Sequence, residues 1–214
     1  NRPTLPFPTR SGVLGLVAGC MGVLRNDNDR LLSIAKGTRV EGRIDVPGVP
    51  LVDDQTILDN PNASTTRQTI QSKRTYLCDA SFAVVVVPGP HLSVADVARA
   101  VRFPVFAPFL GRRTCVPSTP LLIADEVTGE DPIALFDQVE RGPQQLLAQL
   151  RGLATPAAKE GGSGIPEDFY LDSAEYPGSL RRIPIRDDFA GPLPRQWRER
   201  FAVHVRTTRS TRLS

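Results

Sequence analysis

The segment Tyr76–Val87 constrains the fold more than any other part of the chain. Its sequence, YLCDASFAVVVV, ends in an unbroken run of valines, which predicts a strand buried on both faces. Pro88-Gly89-Pro90 ends this strand, and a capping box at Ser93 to Asp96 opens a helix that continues to Arg102. The chain must therefore build a sheet that other elements cover.

The elements before this strand are two helices, a strand and a long polar excursion. One helix is predicted from Ser11 to Leu24, and a short second helix begins at Asp27–Asp29 and stops at Gly37. Val40–Val46 alternates apolar and polar residues, which is typical of a half-buried strand. Residues 47–75 lose this alternation. A polar stretch of that length between two strands is either disordered or a projecting functional hairpin.

The order of the elements points to a fold class. Phe103–Pro120 is loop-like, and Leu121–Ala124 is predicted to be a short strand. With one strand added at the front, the chain reads β-α-β-β-α-β, which is the ferredoxin-like arrangement of the α+β class. We therefore place a ferredoxin-like domain at residues 1–125, with its projecting hairpin at 47–75.

Residues 126–214 are predicted to form a smaller C-terminal region rich in short strands. A helix begins at Asp131-Pro132 and continues to about Val139. The elements predicted after it are a helix over Pro143–Leu150, a linker over Leu153–Pro166, and strands near Phe169–Leu171, Leu180–Ile185 and Phe201–Val205. This region also contains most of the acidic residues of the chain.

The beginning of the first helix is a candidate anion site. Thr9 and Ser11 offer hydroxyl caps, and the free N–H groups of a helix N-terminus attract phosphate. Arg10 adds a guanidinium that can bind a phosphate through two hydrogen bonds. The alternative is an ordinary N-cap on a packing helix.

Four glycines fall on one face of this helix, namely Gly12, Gly15, Gly19 and Gly22. Each costs the helix roughly 0.8–1 kcal/mol relative to alanine, so we expect the close approach of another backbone to compensate. The spacing also resembles a dinucleotide-binding loop, but no strand precedes it, so that context is missing. The apolar run is too short for a membrane span.

The net charge of +3 conceals three segments of different sign. Residues 1–124 carry 14 Lys/Arg against 9 Asp/Glu, residues 125–176 carry 3 against 11, and residues 177–214 carry 9 against 3. Two basic segments that flank an acidic one favour a polyanionic partner for the basic surfaces. We expect the acidic segment to face solvent or basic partner subunits.

The three cysteines, Cys20, Cys78 and Cys115, are an odd number without C-x-x-C spacing. This pattern is typical of a reducing cytoplasm and argues against a disulfide framework and against a cysteine zinc site. No signal peptide or membrane segment is predicted.

Four segments resemble the CasD family of type I-E CRISPR Cascade subunits. They are PTRSGVLGLVAGCMGV, TIQSKRTYLCDASFAVVV, FAPFLGRRTCVPSTPL and LPRQWRERF. They occur in the same order as in the family and span nearly the whole chain, so the resemblance is highly specific. It implies a ferredoxin-like domain of the RAMP superfamily, related to the RRM fold, with a protruding β-hairpin thumb. Family members begin with a strand that this sequence lacks, so we expect the first strand of the sheet to be absent.

The resemblance also implies a function. Such a subunit binds and caps the 5′ handle of the CRISPR guide RNA (crRNA), and joins the backbone subunit CasC to the large subunit CasA in antiviral defence. It meets target DNA only indirectly, is not an enzyme, uses no cofactor or metal, contacts no membrane and is cytoplasmic.

A protein that binds an RNA handle needs phosphate ligands and surfaces on which bases stack. The sequence offers three candidate groups of residues. They are the helix tip (Arg10, Ser11, Gly12), the base of the hairpin (Arg67, Gln71, Lys73, Arg74, Tyr76) and a further arginine surface (Arg112, Arg113, Arg195). The alternatives are an N-cap, a flexible charged loop and a solvated or subunit-facing surface, and Tyr76 is equally well explained as a core strand residue.

Two other functions compete with this one. One is a metal-independent endoribonuclease that cuts precursor crRNA, as in type I-C relatives that use tyrosine, lysine and histidine. The chain has two histidines, His91 and His204, and each is better explained as structural or solvent-exposed than as catalytic. The other is a nonspecific nucleic-acid-binding scaffold, which would not discriminate the sequence of the handle.

Overall fold

The computed structural model describes residues 4–58, 69–139, 164–173, 175–191 and 196–210. Within these ranges the chain forms α-helices, one short 3-10 helix and β-strands. The helices are α1 (Arg10–Cys20), α2 (Asn28–Ala35), α3 (Val94–Arg102) and the 3-10 helix Ala134–Gln138. The strands are β1 (Arg39–Val46), β2 (Val49–Leu58), β3 (Thr69–Cys78), β4 (Ser81–Val87), β5 (Gly164–Leu171), β6 (Arg181–Gly191) and β7 (Gln196–Ser210).

Five of these strands form one sheet in the order β4-β1-β5-β7-β6, and β2 and β3 form a separate two-stranded sheet. The pairs β1–β5, β5–β7 and β6–β7 are antiparallel. This architecture confirms the predicted α+β class and the hairpin. The five-stranded sheet takes strands from both sides of residue 125, and the domain boundary predicted there stays a prediction.

Strand β4 is covered on both faces, as its valines predict. Ala83 and Val85 lie in one apolar cluster with strands β5 and β7 and the 3-10 helix, where Phe136 and Phe169 are fully buried. Val84 and Val86 pack against a second cluster, built by α1, α2 and β1. Because successive side chains of a strand point to opposite faces, β4 connects the two layers.

The predicted strand Tyr76–Val87 is wrong as a single element. The structure breaks it after Cys78, because Asp79 adopts a left-handed conformation with φ of 56°. Tyr76 therefore belongs to hairpin strand β3 rather than to the buried strand.

Helix α1 is shorter than predicted because Gly22 ends it. Gly22 has φ of 74°, and the N–H groups of Gly22 and Val23 donate to the carbonyl oxygens of Gly19 and Ala18 at 3.0 and 2.9 Å. A glycine in this conformation after the last helical residue is a common C-terminal cap.

Of the elements predicted in the C-terminal region, the strands form and the helix differs in type. The three short strands appear and are longer than predicted, as β5, β6 and β7. The strand predicted over Leu121–Ala124 does not form, and the helix after Asp131-Pro132 is a 3-10 helix. The helix predicted over Pro143–Leu150 and most of the linker over Leu153–Pro166 lie outside the described residues.

Two turns cross at Gly89. A Cβ added at Gly89 would lie 2.0 Å from the carbonyl oxygen of Lys36 and 2.8 Å from the amide nitrogen of Thr38. The Thr38 hydroxyl accepts a hydrogen bond from the Gly89 N–H (3.0 Å) and donates to the carbonyl oxygen of Ile34 (2.6 Å). The crossing joins the turn before β1 to the turn after β4.

The chain divides into two compact units. One consists of Asn1–Pro6 and Val46–Ser81, which includes the hairpin, and the other of Phe7–Asp45 and Phe82–Ser214. In the part of the chain that the structure describes, no helix is long and apolar enough to cross a membrane.

Candidate nucleic-acid interface

The hairpin of β2 and β3 separates the predicted RNA-binding residues onto two faces. The strands pair over ten positions, from Val49↔Cys78 to Leu58↔Thr69. Since residues alternate between the faces of a strand, Arg74 and Tyr76 share one face, and Gln71 and Lys73 share the other. Arg67 lies outside the described residues.

Each cation of the described hairpin strands lies opposite a carboxylate. Lys73 Nζ is 4.0 Å from Asp54 Oδ1, and Arg74 pairs in register with Asp53. The described hairpin strands thus carry two bases and two acids. The Lys73 and Asp54 side chains are 75% and 70% exposed, and exposed ion pairs are weak. A phosphate can therefore replace the carboxylate at little cost.

The hairpin also exposes apolar side chains that the sequence analysis did not consider. The five most prominent are Val49, Leu51, Val52, Ile57 and Ile70, each more than 40% exposed. A two-stranded hairpin is only marginally stable alone in water, so these exposed apolar side chains suit it to contact with a partner. The signal was present in the alternation of β2, where residues 49, 51 and 57 share a face.

At the helix tip the structure shows an N-cap. Thr9 Oγ1 accepts a hydrogen bond from the Gly12 N–H at 3.2 Å and lies 3.3 Å from the Ser11 hydroxyl oxygen. A Cβ at Gly12 would lie 3.1 Å from the same Thr9 oxygen. These contacts are those of an ordinary N-cap on a packing helix. RNA binding by Ser11 and Gly12 stays a prediction.

Arg10 has a structural environment that the sequence did not reveal. It is only 8% exposed, and its Nε donates to the carbonyl oxygen of Thr38 at 2.9 Å. The same nitrogen is 3.2 Å from Asp172 Oδ2, and Nη2 donates to the carbonyl oxygen of Ala35. A guanidinium with these partners connects α1, the C-terminal end of α2 and the end of β5. A structural role explains Arg10 better than the predicted phosphate contact.

In the described structure, another backbone approaches the glycine ladder only at its C-terminal end, where the N–H groups of Val105 and Phe106 donate to the carbonyl oxygens of Cys20 and Gly19 at 2.9 and 3.3 Å. A Cβ at Gly15 or at Gly19 would meet nothing within 4 Å. Of the four glycines, Gly22 has a positive φ, which explains why glycine is needed at that position. The predicted close approach therefore occurs at the end of the helix, but it leaves room for a Cβ at Gly15 and Gly19 and does not require glycine there.

Arg112 and Arg113 lie in the irregular segment that follows α3. They come after Gly111, which has φ of 73°, and the turn is closed by a hydrogen bond from the Cys115 N–H to the carbonyl oxygen of Arg112 (2.9 Å). Several large apolar side chains of this segment are exposed. They include Phe103, Val105, Phe106, Phe109 and Val116. A mixed arginine and apolar surface fits both RNA and a protein subunit. Arg195 lies outside the described residues.

A column of rings on the five-stranded sheet was missed by the sequence analysis. The rings of Phe7 and Tyr170 stack with centroids 3.9 Å apart and planes 12° apart, and those of Tyr170 and His204 stack at 4.8 Å and 5°. His204 Nε2 is 2.7 Å from Asp168 Oδ1, and Arg206 donates to both Asp168 oxygens at 2.8 and 3.0 Å. The alternation of Asp168-x-Tyr170 and His204-x-Arg206 was the available signal.

The neighbours of the column perturb its acidic groups. Burial alone would raise the pKa of Asp168, but hydrogen bonds from Arg206 and His204 outweigh it and hold this pKa below its ordinary value. Burial and the nearby Asp168 carboxylate raise the pKa of the Tyr170 hydroxyl. At neutral pH the column therefore carries an ionised Asp168 and a neutral Tyr170.

The acidic segment is predicted to face solvent or basic partner subunits, but several of its carboxylates bind arginines of the same chain. Asp168 binds Arg206, and Asp172 binds both Arg200 (2.8 Å) and Arg10. Glu167, which precedes Asp168, is also buried, with 3% of its surface exposed. Part of the acidic segment thus pairs with the basic C-terminal segment of the same chain.

The described residues hold no cluster of three or more His, Cys, Asp or Glu side chains suited to a metal ion. The three cysteines are free thiols, and burial raises the pKa of Cys20.

Comparison with known proteins identifies the class of protein as CRISPR-associated. The family model described as CRISPR-associated protein (Cas_Cas5) matches residues 1–207. The chain therefore belongs to the Cas5 family.

A curated relative and two solved structures are similar to the chain. It is 36% identical over 136 residues to the CRISPR system Cascade subunit CasD of Escherichia coli (strain K12), an alignment that covers 58% of this chain and 61% of CasD. A structure titled CRISPR RNA-guided surveillance complex matches 97% of this chain and 81% of its own, with 28% identity and a TM-score of 0.64. A second, titled Crystal structure of Cas protein, matches 94% and 83%, with 26% identity and a TM-score of 0.52.

Proposed function

We propose that this chain is a noncatalytic subunit of a type I-E Cascade complex that binds and caps the 5′ handle of the crRNA. The observation that carries the proposal is a two-faced hairpin, with a cation on each face, in a chain of the Cas5 family. The name of the E. coli relative, a Cascade subunit, supports the same assignment. In this function the chain joins the backbone subunit CasC to the large subunit CasA.

The proposed fold is the RAMP version of the ferredoxin-like arrangement, with the hairpin as its thumb. Membership of the Cas5 family supports it, as do the antiparallel sheet and the helices packed against β1 and β4.

The two faces of the hairpin suit different parts of a single-stranded RNA. Tyr76 can stack on a base while Arg74, two residues away on the same face, binds the adjoining phosphate. Lys73 and Gln71 offer a second cation and an amide on the opposite face. A hairpin inserted into single-stranded RNA would therefore contact nucleotides on both sides and separate their bases.

The first prediction concerns these two cations. Replacing Lys73 and Arg74 together with alanine should weaken the binding of handle RNA, because two phosphate ligands are lost. Each lost contact to a single strand should reduce the slope of log affinity against log salt by about 0.7. Affinity is measured by fluorescence anisotropy at several salt concentrations.

The matched control replaces the opposing acids, Asp53 and Asp54, with asparagine. This variant keeps the size of the side chains and removes the competing carboxylates, so RNA should bind more tightly. An unchanged salt slope for the Lys73 and Arg74 variant would exclude the hairpin cations as phosphate ligands. Equal affinity for a scrambled handle would favour the nonspecific scaffold.

One observation favours the ribonuclease as the second candidate. His204 has a carboxylate partner, Asp168, at 2.7 Å, and a histidine oriented by a carboxylate can act as a general base. We expect the purified chain not to cleave precursor crRNA. Cleavage that His204→Ala abolishes would establish the ribonuclease instead.

A further inference from the structure

We propose that the column of Phe7, Tyr170 and His204 ends in a binding site for one nucleotide of single-stranded RNA, with Arg181 as its phosphate ligand. The inference rests on the proposed RNA-binding function and adds a second point of attachment. It lies in the unit that does not contain the hairpin.

The geometry of the column leaves one end for a ligand. Tyr170 is covered on one side by Phe7 and on the other by His204, since both rings are nearly parallel to it at stacking distance. Phe7 is 6% exposed and closes the first end. On β1, the residue opposite Tyr170 is Gly42, which has no side chain to compete for that face. The second end is His204, whose side chain is 16% exposed.

Arg181 stands beside that second end. It is the register partner of His204 on β6, the last strand of the sheet, and its side chain is exposed. Among the described residues it has no hydrogen bond and no ion pair with a carboxylate. A long, flexible side chain in this position can move to admit a base against His204 and then hold the phosphate of the same nucleotide.

The charges around the column favour an anionic ligand. Asp168 already accepts three hydrogen bonds, two from Arg206 and one from His204, so its negative charge is neutralised locally. Arg206 is 51% exposed but its charge is matched by Asp168, so the net positive charge at the rim of the column comes from Arg181. An aromatic face with guanidinium groups at its edge fits a nucleotide better than an apolar or acidic protein surface.

The orientation of His204 is fixed before any ligand binds. The hydrogen bond from Nε2 to Asp168 and the stack on Tyr170 hold the imidazole in one plane. A ring that is already oriented loses little conformational entropy when a base stacks on it. Asp168 and Tyr170 thus act as positioning residues for the stacking surface.

The test uses the full chain and fluorescently labelled handle RNA, including a series in which single nucleotides are made abasic. We expect His204→Ala to weaken binding roughly 10-fold, as the loss of one base stack would. His204→Phe should restore most of the affinity for handle RNA. One abasic position should weaken binding to the unaltered chain and have no further effect on His204→Ala, which a merely structural role for His204 would not produce.

Arg181→Ala should lower the salt slope by about 0.7. The matched control is Arg182→Ala, which removes the same charge from the other face of the same strand, where the Arg182 guanidinium lies over the Phe201 ring at 3.7 Å. This control should leave the slope unchanged. Thermal unfolding shows that each variant is folded before its affinity is compared.

Two results would overturn the inference. If the unaltered chain binds the handle but His204→Ala and Arg181→Ala bind it equally well, the site does not exist, and the proposed function stands on the hairpin. If no abasic position couples to His204, the ring does not stack on a base. Failure of the unaltered chain to bind handle RNA at all would instead overturn the proposed function.

Discussion

Gly89→Ala should destabilise the fold by about 3 kcal/mol or more. The added Cβ would lie 2.0 Å from the Lys36 carbonyl oxygen, where ordinary contact needs about 3.4 Å or more, and the obstacle is backbone that cannot rotate away. The turn before β1 would have to move, and the hydrogen bond between the Gly89 N–H and Thr38 would be strained. For a chain of this size the melting temperature should fall on the order of 10 °C.

The control for Gly89 is Gly15→Ala in α1. A Cβ at Gly15 meets nothing within 4 Å, so the substitution should stabilise the helix by roughly 0.8–1 kcal/mol. Both variants are compared by thermal and urea unfolding. If Gly89→Ala unfolds at the same temperature as the unaltered chain, the two turns are not in contact as described.

Arg10→Ala should cost about 3–5 kcal/mol, because it removes one partner of a buried ion pair. Asp172 would keep Arg200 but lose Arg10, and the carbonyl oxygens of Ala35 and Thr38 would lose their donor. Unsatisfied buried acceptors and an incompletely paired carboxylate account for a loss of this size. Urea unfolding of the RNA-free chain measures it directly.

The same variant separates a structural role of Arg10 from a role in RNA binding. The handle affinity is measured well below the lowered melting temperature, where the variant is still folded. A structural Arg10 predicts an unchanged salt slope, whereas a phosphate ligand predicts a slope lower by about 0.7. Arg113→Ala, an exposed arginine of the same chain, is the control and should not change stability.

Local features of the fold were predictable from the sequence. The N-caps of α1 and α3 need only a hydroxyl and the next turn of helix, and Thr9 and Ser93 both accept the expected hydrogen bonds. The burial of β4 on both faces follows from its valines. The break at Asp79 could not be predicted from composition, because one aspartate does not interrupt the strand-like sequence of residues 76–87. Asp79 nevertheless adopts a left-handed conformation there.

Non-local features were not predictable in this way. No local pattern shows that Ile44 on β1 pairs with Asp168 on β5, so the C-terminal strands were expected to stand apart. The burial of Arg10 depends on Asp172, which is even more distant in the sequence. An arginine after a helix cap looks the same whether it faces phosphate or a carboxylate in the core.

The location of the candidate site in the sequence was predictable, but the arrangement of its side chains on the faces of the strands was not. The position of the hairpin and its cations could be predicted from residues 47–75, since a polar insertion of this length between strands is either disordered or a projecting hairpin. The division of Lys73 and Arg74 between two faces requires the register of β2 and β3. The ring column requires a register too, because Tyr170 and His204 lie on strands that pair only in the folded chain.

The packing of β5 and β7 side chains over β4 has a consequence for biosynthesis. Ala83 and Val85 leave the ribosome long before Phe169 and Val203, the residues that cover them in the finished core. At a translation rate of about 5–20 residues per second, the nascent chain waits on the order of ten seconds with these two side chains uncovered. We therefore expect this core to close only after β7 has been synthesised, late in translation or after release from the ribosome.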